Sequence, residues 1–125
     1  MTDLLKLIDD CIGEPYDLEG INGFNCFTFV DYLCRAHHGV GLGGNINVAD
    51  STLTLAKIND YKKRLKRIEL PTDGCIVLMH KGRHVGMYIA GLVAHAHRRW
   101  GVVVQPLYRL KGELEFYEVA TNDIC

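Results

Sequence analysis

Gly23-Phe24-Asn25-Cys26-Phe27-Thr28-Phe29-Val30-Asp31-Tyr32-Leu33-Cys34 changes character part-way along. A polar loop containing glycine precedes it. From Cys26 onward apolar side chains fall at 26, 29, 30, 33 and 34, the spacing of a helix with one wide buried stripe. Cys26 therefore starts a helix that packs into a core. Unpaired backbone N–H groups and the positive end of the helix dipole gather there and favour an anion, which predicts a thiol with a lowered pKa. The same N–H groups can receive an oxyanion once a thiolate attacks a carbonyl. The plainer reading of Cys26 is one more buried thiol, since free cysteine is among the most buried residue types. Two histidine-bearing segments downstream favour the chemical reading.

The chain has 125 residues, 48% of them hydrophobic, enough for a single domain over 1–125 with its own core. A formal charge of −1 provides no global field to recruit nucleic acid or a membrane surface. No apolar run approaches the ~20 residues of a membrane span. Met1 to Asp10 is amphipathic and acidic, without a basic n-region or cleavage site. The expectation is cytoplasmic synthesis, with any export by a route the chain does not encode. The five cysteines (11, 26, 34, 75, 125) form no CxxC pair, so structural zinc of the finger or ribbon type is not expected. Cys11, Cys34 and Cys75 lie on apolar faces and are expected in the core as reduced thiols. Cys125 is terminal and expected to be exposed.

In chain order, residues 2–12 predict a helix capped by Thr2 or Asp3, with Leu4, Leu5, Leu7, Ile8 and Ile12 as its apolar stripe and Gly13 as its stop. The loop 13–25 carries Pro15-Tyr16, where Tyr16 either packs or lines a site in front of Cys26. The helix from Cys26 runs to about Ala36 and ends in a glycine-rich loop that lacks GxGxxG and Walker spacing. His37 and His38 at its end are expected to be solvated. Asp50 or Ser51 caps a third helix reaching about Arg67, whose basic end reads as a solvated face rather than a polyanion patch. After the turn at 70–74 the pattern is β, with strands at Cys75–His80, His84–Ala90, Leu92–His97, Gly101–Leu107 and Leu114–Ala120. Short links make consecutive strands antiparallel neighbours. About three helices followed by an antiparallel sheet of about five strands is an α+β arrangement.

A period of two puts His84, Gly86 and Tyr88 on one face of their strand, and His95 and His97 on one face of the next. If the cysteine helix packs on that face, Cys26, His84 and one of His95 or His97 converge. Cys26 is then the nucleophile and His84 the base that later returns the proton to the leaving amine. The second histidine orients the first. Gly86 beside the base leaves room for a substrate backbone. One competing reading is a zinc site from His80, His84, His95 and His97 with Cys75. Against it, five residues separate Cys75 from His80, which turns them to opposite faces of a regular strand. Another is that the imidazoles are satisfied interior residues, although three on adjacent strands exceed what a core normally carries.

The order of cysteine helix, strand histidine and strand histidine resembles the NlpC-type papain-like cysteine peptidases, which cleave stem peptides of the bacterial cell wall. Ile12-Gly13-Glu14-Pro15-Tyr16 is similar to that family's Pro-Tyr loop, and Phe24-Asn25-Cys26-Phe27-Thr28-Phe29-Val30 to its Asp-Cys-Ser-Gly-Leu-Val helix start. Pro71-Thr72-Asp73-Gly74-Cys75-Ile76-Val77-Leu78 resembles its Pro-Gly-Asp strand entry. His84-Val85-Gly86-Met87-Tyr88-Ile89 resembles its His-Val-Gly-Ile-Tyr strand, and Val93-Ala94-His95-Ala96 the strand with the third catalytic residue. The resemblance implies a papain-like fold, a Cys26–His84–His95 triad with His95 preferred over His97, and neither cofactor nor metal. It also implies substrate-binding or oxyanion positions at Tyr16, Asn25, Phe27 and Gly86. Asn25 and Phe27 depart from the family's aspartate and serine at positions that border its substrate. The implied substrate is an amide bond of peptidoglycan peptides, γ-D-glutamyl or one nearby, and the implied setting is a phage tail or another partner that delivers the domain to the wall. Two other functions remain open. One is acyl or amide transfer by the same triad, with which apolar Phe24, Phe27 and Phe29 are compatible. The other is a non-catalytic binding or assembly module with a degenerate site.

Overall fold

A computed structural model describes residues 3–18, 21–41, 65–80 and 84–119. They form an α+β domain of two α-helices, α1 (Leu4–Cys11) and α2 (Cys26–Leu33), and six strands. The strands are β1 (Leu65–Ile68), β2 (Ile76–Met79), β3 (His84–Ile89), β4 (Leu92–His97), β5 (Gly101–Pro106) and β6 (Glu115–Val119). All pair antiparallel in one sheet of order β1-β6-β2-β3-β4-β5.

α1 starts where Asp3 Oδ1 accepts the Leu5 N–H at 3.0 Å, and it buries Leu4, Ile8 and Cys11. Leu5 and Ile12, expected in the apolar stripe, are half exposed, because the buried side is the narrower i, i+4, i+7 row. α2 continues through a π-helical turn over Cys34–His38, and Gly39, at φ 75°, closes it in the left-handed region. Residues 50–64 of the expected third helix lie outside the described residues. Its last turn is not helical: Leu65, Lys66 and Arg67 belong to β1, paired with Val119, Glu118 and Tyr117 of β6. Exposed Lys66 and Arg67 between half-buried Leu65 and Ile68 suit an outer strand, which charge protects from further pairing.

The last strand also departs from a simple meander. After β5 the chain makes a short 3-10 turn (Leu107–Arg109) and returns to pair β6 with β2. This return covers one face of the sheet. Leu107, Leu110 and Leu114 pack there against Val77, Met79 and Val93. The helices cover the other face, where Phe29, Val30 and Leu33 meet Ile76, Met87, Ala94 and Val102 in the main core. Among the described residues no helix is long and apolar enough to cross a membrane.

His38, expected in solvent, is half-buried instead. Its Nε2 lies 2.8 Å from the Gly74 carbonyl oxygen, which ties the end of α2 to the entry of β2. Burial pushes the His38 pKa below its ordinary value. Cys11, Cys34 and Cys75 are buried free thiols, and Cys125 lies outside the described residues.

Candidate active site

The loop ahead of Cys26 is held from two sides. The Gly13 N–H donates to the Val102 carbonyl, and the Val102 N–H to that of Glu14 (3.1 and 2.9 Å), which docks the loop on β5. Gly101 permits this approach, since it has φ +75° and a Cβ there would lie 2.2 Å from the Glu14 oxygen. Within the loop Phe24 N–H donates to Pro15 O at 3.0 Å and Asp17 N–H to Phe24 O at 3.1 Å. Tyr16 is thereby set beside Phe24, immediately before the helix.

Asn25 is the N-cap of α2. Its Oδ1 accepts the N–H of Phe27 (3.0 Å) and of Thr28 (2.8 Å), its Nδ2 donates to Leu18 O (3.0 Å), and its own N–H donates to Thr28 Oγ1 (2.9 Å). This closed box around a fully buried Asn25 explains an amide at the position, because both ends of the side chain are used. Asn25 and Phe27, expected at the border of a substrate, are thus a cap and a core residue; Phe27 is 2% exposed and packs in the main cluster. Phe24 and Phe29 pack against each other on the same core, their rings tilted by 60° with centroids 5.4 Å apart.

α2 does not lie over the histidine face. It packs on the Val85, Met87, Ile89, Ala94 and Ala96 face, where every alternate residue is apolar. The thiol reaches β3 beside His84, at Val85. Tyr88 exchanges hydrogen bonds with Cys75 and Gly74 beside β2, so the N–H of Val85, three residues away, points to the β4 side. Pairing between β3 and β4 spans Met87–Ile89 and Leu92–Ala94. Beyond it the Val85 N–H faces the Cys26 sulfur, as do the Cys26 and Phe27 N–H groups, and all three favour a thiolate there. Gly86 serves this crossing. A Cβ there would stand 2.8 Å from both Ala94 O and Val93 Cγ1, so the space expected for substrate is filled by β4.

On the other face the imidazoles form a row. His84 Nε2 and His95 Nδ1 share a hydrogen bond at 2.8 Å, and His95 Nε2 is bonded at 2.6 Å to Gln105 Oε1 of β5. His97 stands apart. It accepts the N–H of Arg99 on Nδ1 at 3.0 Å and stacks on Trp100 at 4.2 Å. The rings line a cleft of about 340 Å³ together with Met79, His80, Arg98, Gln105 and Leu110. Cys26 is 2% exposed, and none of the hydrogen bonds among the described residues joins its thiol to the His84 ring.

Burial dominates the electrostatics. It pushes the Cys26 thiol up to about 11, against the pull of the surrounding N–H groups and the Arg98 charge. It pushes His84 down to about 3, helped by the neighbouring histidines and Arg98. His95 is lowered for the same reason, with Gln105 working against the shift. The lowered thiol pKa expected at a helix start is therefore overturned. Desolvation of the sulfur outweighs the first-turn N–H groups, and the resting pair is thiol and imidazole, both neutral.

No family model and no curated protein matches the chain.

Among the described residues no three or more His, Cys, Asp or Glu side chains are arranged to hold a metal ion. Sequence reasoning missed two members of the site. Gln105 is the single amide in the run Val102-Val103-Val104-Gln105-Pro106, a polar residue in an apolar strand that pointed to a buried partner. Arg98, in the turn after β4, lies within reach of the Tyr16 hydroxyl and places its charge near both Cys26 and His84. Tyr16 is half-buried, and its pKa is raised by burial and, secondarily, by the nearness of Cys26.

Proposed function

We propose that the protein is a thiol-dependent amide hydrolase of the NlpC-type, papain-like kind, acting on peptidoglycan peptides. The observation that carries this reading is a junction of two neighbouring residues. The Val85 N–H faces the Cys26 sulfur, and the adjacent His84 presents a ring hydrogen-bonded to His95. The substrate class rests on the sequence resemblance alone.

In this mechanism the His84 ring takes the Cys26 proton as the substrate carbonyl arrives, and a carbon–sulfur bond forms. The Cys26 N–H at the helix start receives the tetrahedral oxyanion. Collapse breaks the carbon–nitrogen bond, and His84 returns the proton to the leaving amine. Water, deprotonated by the same ring, then cleaves the thioester and restores the thiol. A neutral resting pair means that substrate entry, by drying the cleft and supplying the electrophile, drives the proton transfer.

Incubation with purified sacculi followed by mass analysis tests the proposal. Wild type releases peptide fragments, whereas Cys26→Ser keeps its melting temperature and loses at least about 10³-fold in rate. Undiminished release by Cys26→Ser ends the reading.

A non-catalytic binding module is the second reading, favoured by a thiol that is 2% exposed and held near 11. Iodoacetamide at neutral pH separates the two. A hydrolase alkylates at Cys26 ahead of buried Cys34 and Cys75, while equal resistance of all three supports the module. Acyl transfer by the same triad keeps Phe24 as its apolar support near the thiol, since Phe24 is half-buried while Phe27 and Phe29 are core residues.

A further inference from the structure

In the row His84, His95, Gln105 each histidine nitrogen can donate or accept according to tautomer, but an amide oxygen only accepts. Gln105 lies opposite Val93 in the β4–β5 register, on the face that carries His95, and its Oε1 sits 2.6 Å from His95 Nε2. We propose that Gln105 is a positioning residue that sets the tautomers of both imidazoles and so presents the bare Nδ1 of His84 as the base.

The polarity runs in one direction. Oε1 accepts, so His95 carries its proton on Nε2. His95 Nδ1 is then the acceptor of the 2.8 Å bond, and the donor is the Nε2–H of His84. A neutral His84 with its proton on Nε2 has its lone pair on Nδ1, the nitrogen left over for the thiol. The opposite amide orientation inverts every bond in the row. His84 then accepts on Nε2 and carries its proton on Nδ1, where it cannot take another from Cys26. One side chain two residues removed from the chemistry therefore decides whether His84 is competent. Desolvation keeps both rings neutral, the state in which a tautomer has meaning.

The tautomer assignment rests on the amide oxygen of Gln105 facing His95; its consequence for rate rests on the peptidase reading above. The test uses the full chain labelled with ¹⁵N, with long-range proton–nitrogen spectra at pH 7 and the rings assigned through His84→Gln and His95→Gln. Both rings are expected to show protonated Nε2 and unprotonated Nδ1. In Gln105→Leu the His95 signal moves to a mixture of tautomers, and kcat on muropeptides falls by at least about 10-fold with KM little changed. Gln105→Glu keeps an acceptor oxygen, and with it the Nε2–H tautomer and more of the rate. A proton on Nδ1 of either ring in the wild type overturns the proposal even if Gln105→Leu does not fold, and so do unchanged tautomers in a folded Gln105→Leu. Spectra as expected with sacculi left intact would retain the tautomer row and remove the peptidase reading instead.

Discussion

His95 and His97 share a face of β4, yet they have separate environments. His95 is 3% exposed and bonded on both nitrogens, to His84 and Gln105. His97 turns its Nδ1 to the main chain of the β4–β5 turn and its ring to Trp100. Replacing His95 with alanine should therefore slow hydrolysis more than replacing His97, and steady-state kinetics on one muropeptide ranks them. The reverse order would transfer the orienting role to His97. His84 also carries a stability signature. Its folded pKa of about 3 lies below the ordinary 6.5, so the unfolded chain binds the proton more readily. Stability from this group is complete above pH 6.5 and is lost progressively as pH falls toward 3. Thermal melts across that window should show His84→Gln losing less stability with acid than the wild type, and parallel curves would contradict the shift.

At the scale of elements, the start of α2 depends on one amide. Asn25 Oδ1 takes two N–H groups and Nδ2 reaches back to Leu18 O. Asn25→Ala should cost about 1–2 kcal/mol, read by denaturant midpoint, and the loss includes stranded buried donors. The sulfur leaves the helix from the same turn, so the variant should also lower hydrolysis. A loss of stability with unchanged rate would show that the cap does not aim the thiol. β1 makes the converse point about elements. Leu65-Lys66-Arg67-Ile68 carries a basic pattern equally suited to a helix end, and only the free edge of β6 makes it a strand.

For the whole molecule, two cores of unequal depth lie on the two faces of the sheet. Phe29 is fully buried between helices and sheet, and Phe29→Ala should cost about 3–5 kcal/mol. Leu110, half-buried on the returning segment, should cost less than about 2 kcal/mol, below the range for a fully buried leucine. Equal losses in urea melts would mean that the return is as firmly packed as the helical layer. Much of this was legible along the chain. The α+β order, the start of α2 at Cys26 and the strands from residue 76 onward follow from apolar period, capping residues and short turns, which act between neighbours and need no knowledge of the rest. The Cys26 segment and the two histidine strands were recognisable as candidates for the same reason. Which face α2 covers, the crossing that pairs β6 with β2, the burial that raises the thiol, and the bond from His95 to Gln105 were decided only by tertiary structure. Each depends on which surfaces meet and how much water they exclude, and those quantities belong to pairs of segments distant along the chain.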